Sequence, residues 1–448
     1  MTTGKLPFSF CLALIGTDAT AFAFIFAVMQ KITLVVVGGG AAGFFCAVNA
    51  ARKLPNLRVI LIEKSSKLLS KVRISGGGRC NLTHACFEAG LLTKKYPRGE
   101  RFLRKAFRHF SPSDTITWFS DRGGELKEEA DGRMFPVSDD SATIVDCLLR
   151  EANIYGVEIL LNNEVKSIEK IGSRFIIKTS RQEIVAEYCC IACGGYPKDS
   201  MFSWLTNTGH TIETPVPSLF TFNLPGNEIN SLMGVVVQDT QLKISGTKLI
   251  ERGPVLITHW GISGPAVLRL SAWGARHLAG LNWHFKVIAN WVPSYNENSL
   301  LAFIQKYRFE KASQKLGNRN PFNLPQRFWE YILVASGTDA ETRWSDLPGK
   351  EQNRLVKNLS AMELAVSGKT TFKEEFVTAG GIKLEEVDPD TMMSRIHPNL
   401  FFAGEILDVD GITGGFNFQH AWTSGWIASE SIAASENQEV KKGDFIEF

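Results

Sequence analysis

The sequence has almost no excess of either charge. It carries 49 lysines and arginines against 46 aspartates and glutamates in 448 residues, a formal net charge of +3. This balance gives no general attraction to a polyanion, so nucleic acid is not expected as a partner. The eight cysteines follow no framework spacing, which excludes a small disulfide scaffold and favours a reducing, cytoplasmic location. A hydrophobic content of 44% is typical of a globular protein, here with room for two or three domains.

The sequence also lacks an uninterrupted hydrophobic run long enough to cross a membrane. Residues 1–28 are largely apolar, but Asp18 divides them, and a spanning helix needs about 20 apolar residues. No membrane partner is therefore expected. Lys5, an apolar stretch and Ala21-Phe22-Ala23 resemble a weak signal peptide. We instead interpret residues 1–28 as a leader or as the result of a mis-assigned start, because Met29 stands just before the first predicted strand.

A glycine-rich turn follows that strand. Ile32–Val37 is an apolar, mostly β-branched run, which predicts a strand buried on both faces. Gly38, Gly40 and Gly43 then match G-x-G-x-x-G. In this motif the first glycine permits a tight turn and the second lets the backbone approach a pyrophosphate. The third lets the following helix pack closely on the sheet.

A helix and a second buried strand complete this unit. The pattern predicts a helix at Phe44–Leu54 and a strand at Leu57–Ile62, which ends at Glu63. An acid about 20 residues after the third glycine can accept hydrogen bonds from a ribose. The helix N-terminus attracts phosphates through its N–H groups and its dipole. We interpret residues 31–63 as a dinucleotide-binding βαβ unit, which by itself does not distinguish FAD from NAD.

Two further stretches in the first half invite a functional interpretation. Gly76–Gly78 followed by Arg79 suits close approach to a phosphate or a flat ring, although a flexible surface loop has the same composition. Residues 94–110 are basic and interleaved with aromatics, as in some nucleic-acid-binding segments. Their apolar residues recur at helical spacing, which favours a core-facing helix with a solvated basic side.

From about Tyr196 the pattern changes. Prolines separate short strand-like runs, which predicts an antiparallel, barrel-like insert. Within it, Gly261 and Gly264 precede a helix with Pro265 in its first turn, and His259 stands just before them. His259 is a candidate acid, base or substrate donor. A hydrogen-bonded structural histidine is the alternative.

The last part of the sequence returns to an α/β pattern. Phe401–Glu405 predicts a short strand that ends in a glycine and an acid, Leu407–Phe416 a glycine loop, and Asn417–Ser431 a helix. Such a loop opening a helix is a second site for a phosphorylated ligand. No metal is predicted, because the Asp408-x-Asp410-Gly411 stretch lacks the rest of a calcium loop.

Six motifs together resemble the YhiN/BaiN-like family of NAD(P)/FAD-dependent oxidoreductases. They are VVGGGAAG at 36–43, SGGGRCNLT at 75–83, ACGG at 192–195, THWGISGPA at 258–266, VTAGGI at 377–382 and FFAGEILDVDGITGGFNFQHAWTSG at 401–425. The resemblance implies an α/β fold, in which a Rossmann-like FAD-binding domain is interrupted by a β-barrel-like insert carrying a small helical segment. The expected segments are a leader at 1–28, the FAD-binding domain at 29–196 and 377–434, the insert at 197–297 with its helical segment at 298–363 and return strand at 364–376, and a charged tail at 435–448.

The resemblance also implies where FAD binds. The glycine turn would hold the AMP half with Glu63 on its ribose, and the backbone of Val165 would face the adenine. Glu405 would bind the ribityl or pyrophosphate portion, and the helix N-terminus at Gly414–Asn417 would meet the flavin. Cys193 stands where the family usually has threonine. The implied FAD-binding residues are Gly38, Gly40, Ala42, Gly43, Glu63, Lys64, Gly78, Arg79, Cys80, Val165, Gly194, Gly404, Glu405, Gly414, Gly415, Phe416 and Asn417.

The motifs and the resemblance therefore predict an FAD-dependent oxidoreductase. Hydride would pass between the flavin N5 and either NAD(P)H or a small organic substrate, with His259, Arg79 and Asn81 as candidate catalytic residues. Because the sequence has one dinucleotide fingerprint, NAD(P)H would bind transiently if it is the electron donor, or another protein would supply the electrons. The alternatives are an amine oxidase that produces peroxide and a flavin-containing RNA-modifying protein. A monomer or homodimer is expected, and the sequence does not identify the substrate.

Overall fold

The computed structural model describes residues 31–371 and 377–443. The predicted leader at 1–28 lies outside them, as do residues 372–376 of the predicted return strand and residues 444–448 of the predicted tail. Among the described helices, none combines the length and the apolar character that crossing a membrane requires.

Helices and strands alternate in the first part of the chain, and strands dominate its middle. The α-helices are α1 (Ala41–Lys53), α2 (Ser70–Ile74), α3 (Ala89–Thr93), α4 (Glu100–Ala106), α5 (Pro112–Ser120), α6 (Ala142–Ile154), α7 (Pro265–Gly280), α8 (Glu297–Glu310), α9 (Gln326–Ala335), α10 (Gly349–Ser360) and α11 (Phe416–Gly443). The strands are β1 (Thr33–Val37), β2 (Arg58–Ile62), β3 (Thr83–His84), β4 (Leu126–Glu128), β5 (Arg133–Pro136), β6 (Glu158–Leu160), β7 (Val165–Ile171), β8 (Arg174–Thr179), β9 (Glu183–Ala186), β10 (Tyr188–Ile191), β11 (Ile212–Ser218), β12 (Thr221–Asn223), β13 (Val236–Ile244), β14 (Ile250–Thr258), β15 (Gly261–Ser263), β16 (His284–Asn290), β17 (Met362–Ser367), β18 (Lys369–Thr370), β19 (Val377–Ile382) and β20 (Leu400–Phe402).

A five-stranded parallel sheet forms the centre of the nucleotide-binding domain, in the order β20-β10-β1-β2-β6. Every residue of β1 is buried, as its apolar run predicted. The chain leaves β1 toward β2 on one side, and β10 pairs on the other side, so the strand order reverses at β1. Ligands of open α/β sheets bind at such a point, outside the carboxyl ends of the strands. Because β20 pairs with β10, the last part of the chain rejoins the first.

Helices α1 and α11 pack closely against each other and the sheet. A Cβ atom at Gly43 would lie 1.9 Å from the Gly38 carbonyl oxygen, and one at Gly425 would lie 2.6 Å from the Ala42 carbonyl oxygen. Helix α11 continues to Gly443, so the predicted helix end at Ser431 was wrong, and the first part of the predicted charged tail is helical. The residues between are mostly good helix formers, and no proline or glycine interrupts them.

The insert is a seven-stranded antiparallel sheet in the order β17-β16-β13-β14-β15-β12-β18. Only Gly368 separates β17 from β18. One continuous segment therefore pairs with β16 at one edge and with β12 at the other. The sheet closes on itself in this way, which confirms the barrel-like prediction. The positive φ of 93° at Gly368 provides the bend.

Helices α8 to α10 cover the barrel and share a second hydrophobic core with it, which buries Trp291, Trp329 and Trp344. The insert is tied to the nucleotide-binding domain by the β11–β19 pair. A buried ion pair between Arg98 and Asp410 adds to this connection, since the Arg98 guanidinium also donates to the Ala272 carbonyl of α7 at 2.8 Å.

Candidate functional site

A cavity of about 640 Å³ lies at the carboxyl ends of the parallel strands, where the insert meets the sheet. The loops that follow β1, β2, β10 and β20 form its floor. The insert supplies the opposite wall. The insert residues that line it are Leu219, Thr221, Ser263, Leu268 and Thr371.

The first glycine loop leaves one side of the cavity open to a ligand. At Gly38 a Cβ atom would lie 2.4 Å from the Ala192 carbonyl oxygen, so this glycine is required by the packing of β1 against β10. At Gly40 no heavy atom lies within 4 Å of the Cβ position. Gly40 is the N-cap of α1, no side chain caps the helix, and its first turn has no acid. The helix terminus is therefore available to a phosphate.

Glu63 stands at the end of β2, where the loop holds its carboxylate in place. One oxygen accepts the Gly39 N–H at 2.9 Å, and the other accepts the Ser65 N–H at 2.9 Å and the Ser65 hydroxyl at 2.8 Å. A carboxylate has about four acceptor positions, so one remains for a ribose hydroxyl.

A second cavity of about 290 Å³ continues from the first past Glu63. Val165, Tyr196 and Trp204 line it. Asn163 is buried, and its Oδ1 has no hydrogen-bond partner among the described residues. The lining mixes these apolar and aromatic side chains with polar ones, and together with the unsatisfied acceptor it suits a flat heterocycle that carries an amino group, such as adenine.

Glu405 follows β20 on the far side of the first cavity. The Lys71 ammonium donates to one carboxylate oxygen at 2.6 Å, and the Thr378 N–H donates to the other at 2.9 Å. The carboxylate therefore has its orientation set from two sides. Lys71 lines the same cavity.

The loop before α11 closes the remaining end. At Gly415 a Cβ atom would lie 2.4 Å from the Thr83 carbonyl oxygen. The Asn417 side chain accepts the Gly411 N–H at 2.7 Å and donates to the Gly411 carbonyl at 3.0 Å. Asn417 thus shapes the loop with its side chain. The α11 N-terminus faces the cavity with Gly414 and Gly415 in the lining.

The structure separates the three predicted catalytic residues. Asn81 lines the cavity, and its amide lies between the Thr83 carbonyl, to which it donates at 3.2 Å, and the Gly415 N–H, from which it accepts at 3.1 Å. Arg79 instead pairs with Glu129 at 2.7 Å and stacks over Phe135. His259 is exposed and its ring contacts Trp260.

The predicted cofactor-binding residues also divide into those that line a cavity and those that do not. Cys80 is buried, which raises the pKa of its thiol to about 12. The predicted residues that line one of the two cavities are Gly38, Gly40, Ala42, Glu63, Lys64, Val165, Gly194, Gly404, Glu405, Gly414, Gly415 and Asn417. Gly43, Gly78, Arg79, Cys80 and Phe416 lie outside both linings.

Several residues of the site were not predicted from the sequence. His420 on α11 is buried and lines the cavity; its Nε2 donates to the Gly404 carbonyl at 3.1 Å, and its Nδ1 has no partner among the described residues. Burial lowers the pKa of His420 to about 4, so the ring is neutral near pH 7. Ser263 and Lys71 were also missed. Position in the first turns after a glycine loop is the signal that could have found His420.

A family model for the HI0933-like protein Rossmann domain matches residues 32–431. The chain belongs to the HI0933-like family. This confirms the resemblance found in the sequence and places the chain among Rossmann-type flavoprotein oxidoreductases.

Two curated relatives of this HI0933-like chain are similar over nearly their whole length. The ribosomal RNA dihydrouridine synthase of Escherichia coli is 30% identical, over 91% of this chain and 100% of the relative. The 3-dehydro-bile acid delta(4,6)-reductase of Clostridium scindens is 28% identical, over 89% and 98%. Among solved structures, the 3-ketosteroid delta1-dehydrogenase of Sterolibacterium denitrificans has 14% identity and a TM-score of 0.49, over 91% of this chain and 100% of that chain.

Proposed function

We propose that this protein is an FAD-dependent reductase of a carbon–carbon double bond conjugated with a carbonyl group. The observation that carries the proposal is the cavity that runs from the α1 N-terminus to the insert wall, because an extended dinucleotide would lie along it and a substrate beside the insert wall. The names of the two relatives support the reaction class. Forming dihydrouridine saturates the uracil double bond beside a carbonyl, and a delta(4,6)-reductase saturates double bonds in a 3-oxo compound.

The described residues fit FAD along the whole cavity. Asn163 and Val165 would hold the adenine, Glu63 its ribose, and the open α1 N-terminus at Gly40 the pyrophosphate. Lys71 and Glu405 would hold the ribityl side. When bound, FAD supplies the two-electron chemistry at N5.

In this proposal, the protein itself stabilises negative charge and defines the space that the substrate occupies. The α11 N-terminus and the Gly414-Gly415 loop place backbone dipoles at one end of the cavity, where they would stabilise negative charge. The Ser263 hydroxyl makes no hydrogen bond within the described part of the chain, so it can donate one to a substrate carbonyl. Leu219 and Leu268 would exclude water beside it.

The electron donor is also part of the proposal. NAD(P)H would bind transiently, because the single glycine fingerprint is taken by FAD. We expect slow reduction by NADPH or NADH and fast reoxidation of the reduced flavin by the proper acceptor.

The test is anaerobic. Purified protein, yellow from FAD, is reduced with NADPH or dithionite, and a small cyclic enone, uridine, uracil-containing RNA or oxygen is then added. The proposal requires a conjugated acceptor to restore the flavin band faster than oxygen, with a product heavier by two hydrogens. If amines bleach the flavin and oxygen restores it with peroxide, the amine oxidase replaces this proposal.

Within the reaction class, a uracil base in RNA is our candidate substrate, and a small polycyclic enone is the second candidate. The name of the 30% identical relative favours RNA, and the name of the 28% identical relative favours the enone. The same assay decides between them by comparing rates of flavin reoxidation.

A further inference from the structure

We propose that a basic face formed by Arg101 and Lys105 of α4 and by Arg108 just beyond its end (the α4 face) binds the phosphates of an RNA whose base enters the cavity. This inference rests on the function proposed above and names the partner and the surface that would hold it. None of these residues lines the cavity itself.

The first support is local charge. Residues 94–108 contain seven lysines and arginines and a single acid, Glu100, so this short segment carries more net positive charge than the whole protein at +3. The weak overall charge therefore hides one strongly cationic site. A clustered patch of this kind is the usual electrostatic footprint of a nucleic-acid surface.

The second support is that these cations are exposed and uncommitted. Arg101, Lys105 and Arg108 are exposed, and none of them has an ion pair or side-chain hydrogen bond among the described residues. Neighbouring Arg104 is different, since it pairs with Glu100 at 2.7 Å. The opposite side of the segment is anchored, because Phe102, Leu103, Ala106 and Phe107 are buried in the main core.

The third support is position. Helix α4 starts at the cavity wall: a Cβ atom at its N-cap Gly99 would lie 2.7 Å from the side chain of Val409, which lines the cavity. Just upstream, the Lys95 carbonyl accepts the N–H of Ile412, another lining residue, at 2.9 Å. The start of α4 and the segment before it therefore pack against two residues of the cavity lining, so phosphates held on the α4 face would lie near the cavity.

This arrangement matches what chemistry on a nucleobase requires. A base stacked in a helix cannot reach a buried reactive atom, so enzymes extrude it into a pocket while other contacts hold the backbone. Phosphate contacts position the nucleic acid without reading its sequence. The cavity and the α4 face would divide these two tasks.

The chain offers a matched control on α10. Lys350, Arg354 and Lys357 are also exposed, have the same i, i+4, i+7 spacing, and make no described ion pair. They lie on the helical segment of the insert, and none of them lines either cavity. A general effect of surface charge would change both helices equally.

The experiment measures binding of a fluorescein-labelled, uracil-rich single-stranded RNA by anisotropy over a range of KCl concentrations. The holoprotein is compared with R101Q/K105Q/R108Q and with K350Q/R354Q/K357Q. We expect the α4 variant to bind at least tenfold more weakly, and its plot of log affinity against log salt to be flatter by about 2, or about 0.7 for each lost phosphate contact. The α10 variant should keep the wild-type affinity and slope.

Flavin absorbance and melting temperature verify that both variants are folded, and single R101Q and R108Q variants should each flatten the slope by about 0.7. Equal loss in both triple variants, or unchanged binding by the α4 variant, would overturn the inference. If the wild type binds no RNA but its reduced flavin is reoxidised by a small enone, this inference fails and the proposed function stands. If no conjugated acceptor reoxidises the flavin, the proposed function fails, whatever the anisotropy shows.

Discussion

Two glycine loops in this molecule look alike in sequence and differ in what surrounds them. Residues 38–43 lead from β1 into α1, and residues 261–265 comprise the short strand β15 and the turn into α7. At Gly40 the Cβ position has no heavy atom within 4 Å. At Gly261 it lies 2.0 Å from the Phe222 carbonyl oxygen, and at Gly264 it lies 2.9 Å from the Pro254 carbonyl oxygen. The first loop therefore leaves room for a ligand at Gly40, whereas both glycines of the second loop let strands approach each other.

The surrounding sheet explains the difference. The first loop lies at the carboxyl edge of a parallel sheet, where the chain turns away on both sides. The second lies inside the barrel, because β15 is paired on one side with β12 and on the other with β14. A G-x-x-G pattern before a helix does not reveal which environment it will occupy. The following predictions test this comparison, beginning with the largest effect.

Gly261→Ala should destabilise the insert by about 4 kcal/mol, at the upper end of single-substitution effects. The added methyl group would overlap the backbone of β12, and φ is 156° at this position. Urea unfolding monitored by tryptophan fluorescence measures the change, because the insert core contains three buried tryptophans, Trp291, Trp329 and Trp344. The control is Gly246→Ala in an open turn of the same insert. A Gly261→Ala protein as stable as this control would contradict our account of the second loop.

Lowering the pH should destabilise the protein because of His420, a buried histidine that lines the larger cavity. Burial lowers the pKa of His420 to about 4, whereas an unfolded histidine titrates near 6.5. Between these values the unfolded chain binds a proton that the folded protein does not, so stability falls as pH drops from about 6.5 to 4, by up to about 3 kcal/mol. In the His420→Gln variant, unfolding should take up one proton fewer over this pH range, so the stability should depend less on pH.

The measurement is the free energy of unfolding between pH 7 and pH 4.5, compared for wild type and His420→Gln. His210 offers an internal comparison, because burial also lowers its pKa to about 4. In a variant with both histidines replaced, the pH dependence of the unfolding free energy should lose the contribution of a second proton. Superimposable pH profiles for wild type and His420→Gln would show that His420 takes up its proton as readily in the folded state as in the unfolded chain.

Gly40→Ala should leave the fold nearly intact and weaken FAD binding at least tenfold, or about 1.4 kcal/mol. The methyl group meets no protein atom, but it occupies the space through which a pyrophosphate would approach the α1 N-terminus. Titration of the apoprotein with FAD measures the affinity. Gly349→Ala is the matched control, because that glycine is also at a helix start in open space but lies away from both cavities. Equal affinities would mean that the pyrophosphate does not use this loop.

The two loops also illustrate which features of the structure could be predicted from the sequence. The βαβ unit, with Gly38–Gly43 and Glu63, was predictable because strand, turn, helix and acid follow one another locally. The Lys71–Glu405 ion pair was not, since its partners are 334 positions apart. Closure of the barrel depended on a single bend at Gly368. The role of the Asn417 side chain depended on the fold of its own loop. Patterns identified the loops, and tertiary contacts decided which side chains reach the cavity.

The smallest effect is expected for substitution of His259, the histidine that precedes the second glycine loop. His259 is exposed and contacts Trp260, and it does not line the cavity, whereas Ser263 on the same loop does. His259→Gln should therefore keep FAD affinity and the rate of flavin reoxidation by a conjugated acceptor within about twofold of wild type. Ser263→Ala should lower that rate more, because it removes a hydroxyl from the cavity wall. A loss of about a hundredfold in His259→Gln with FAD still bound would be the size expected for a general acid or base. It would mean that this loop moves into the cavity during turnover.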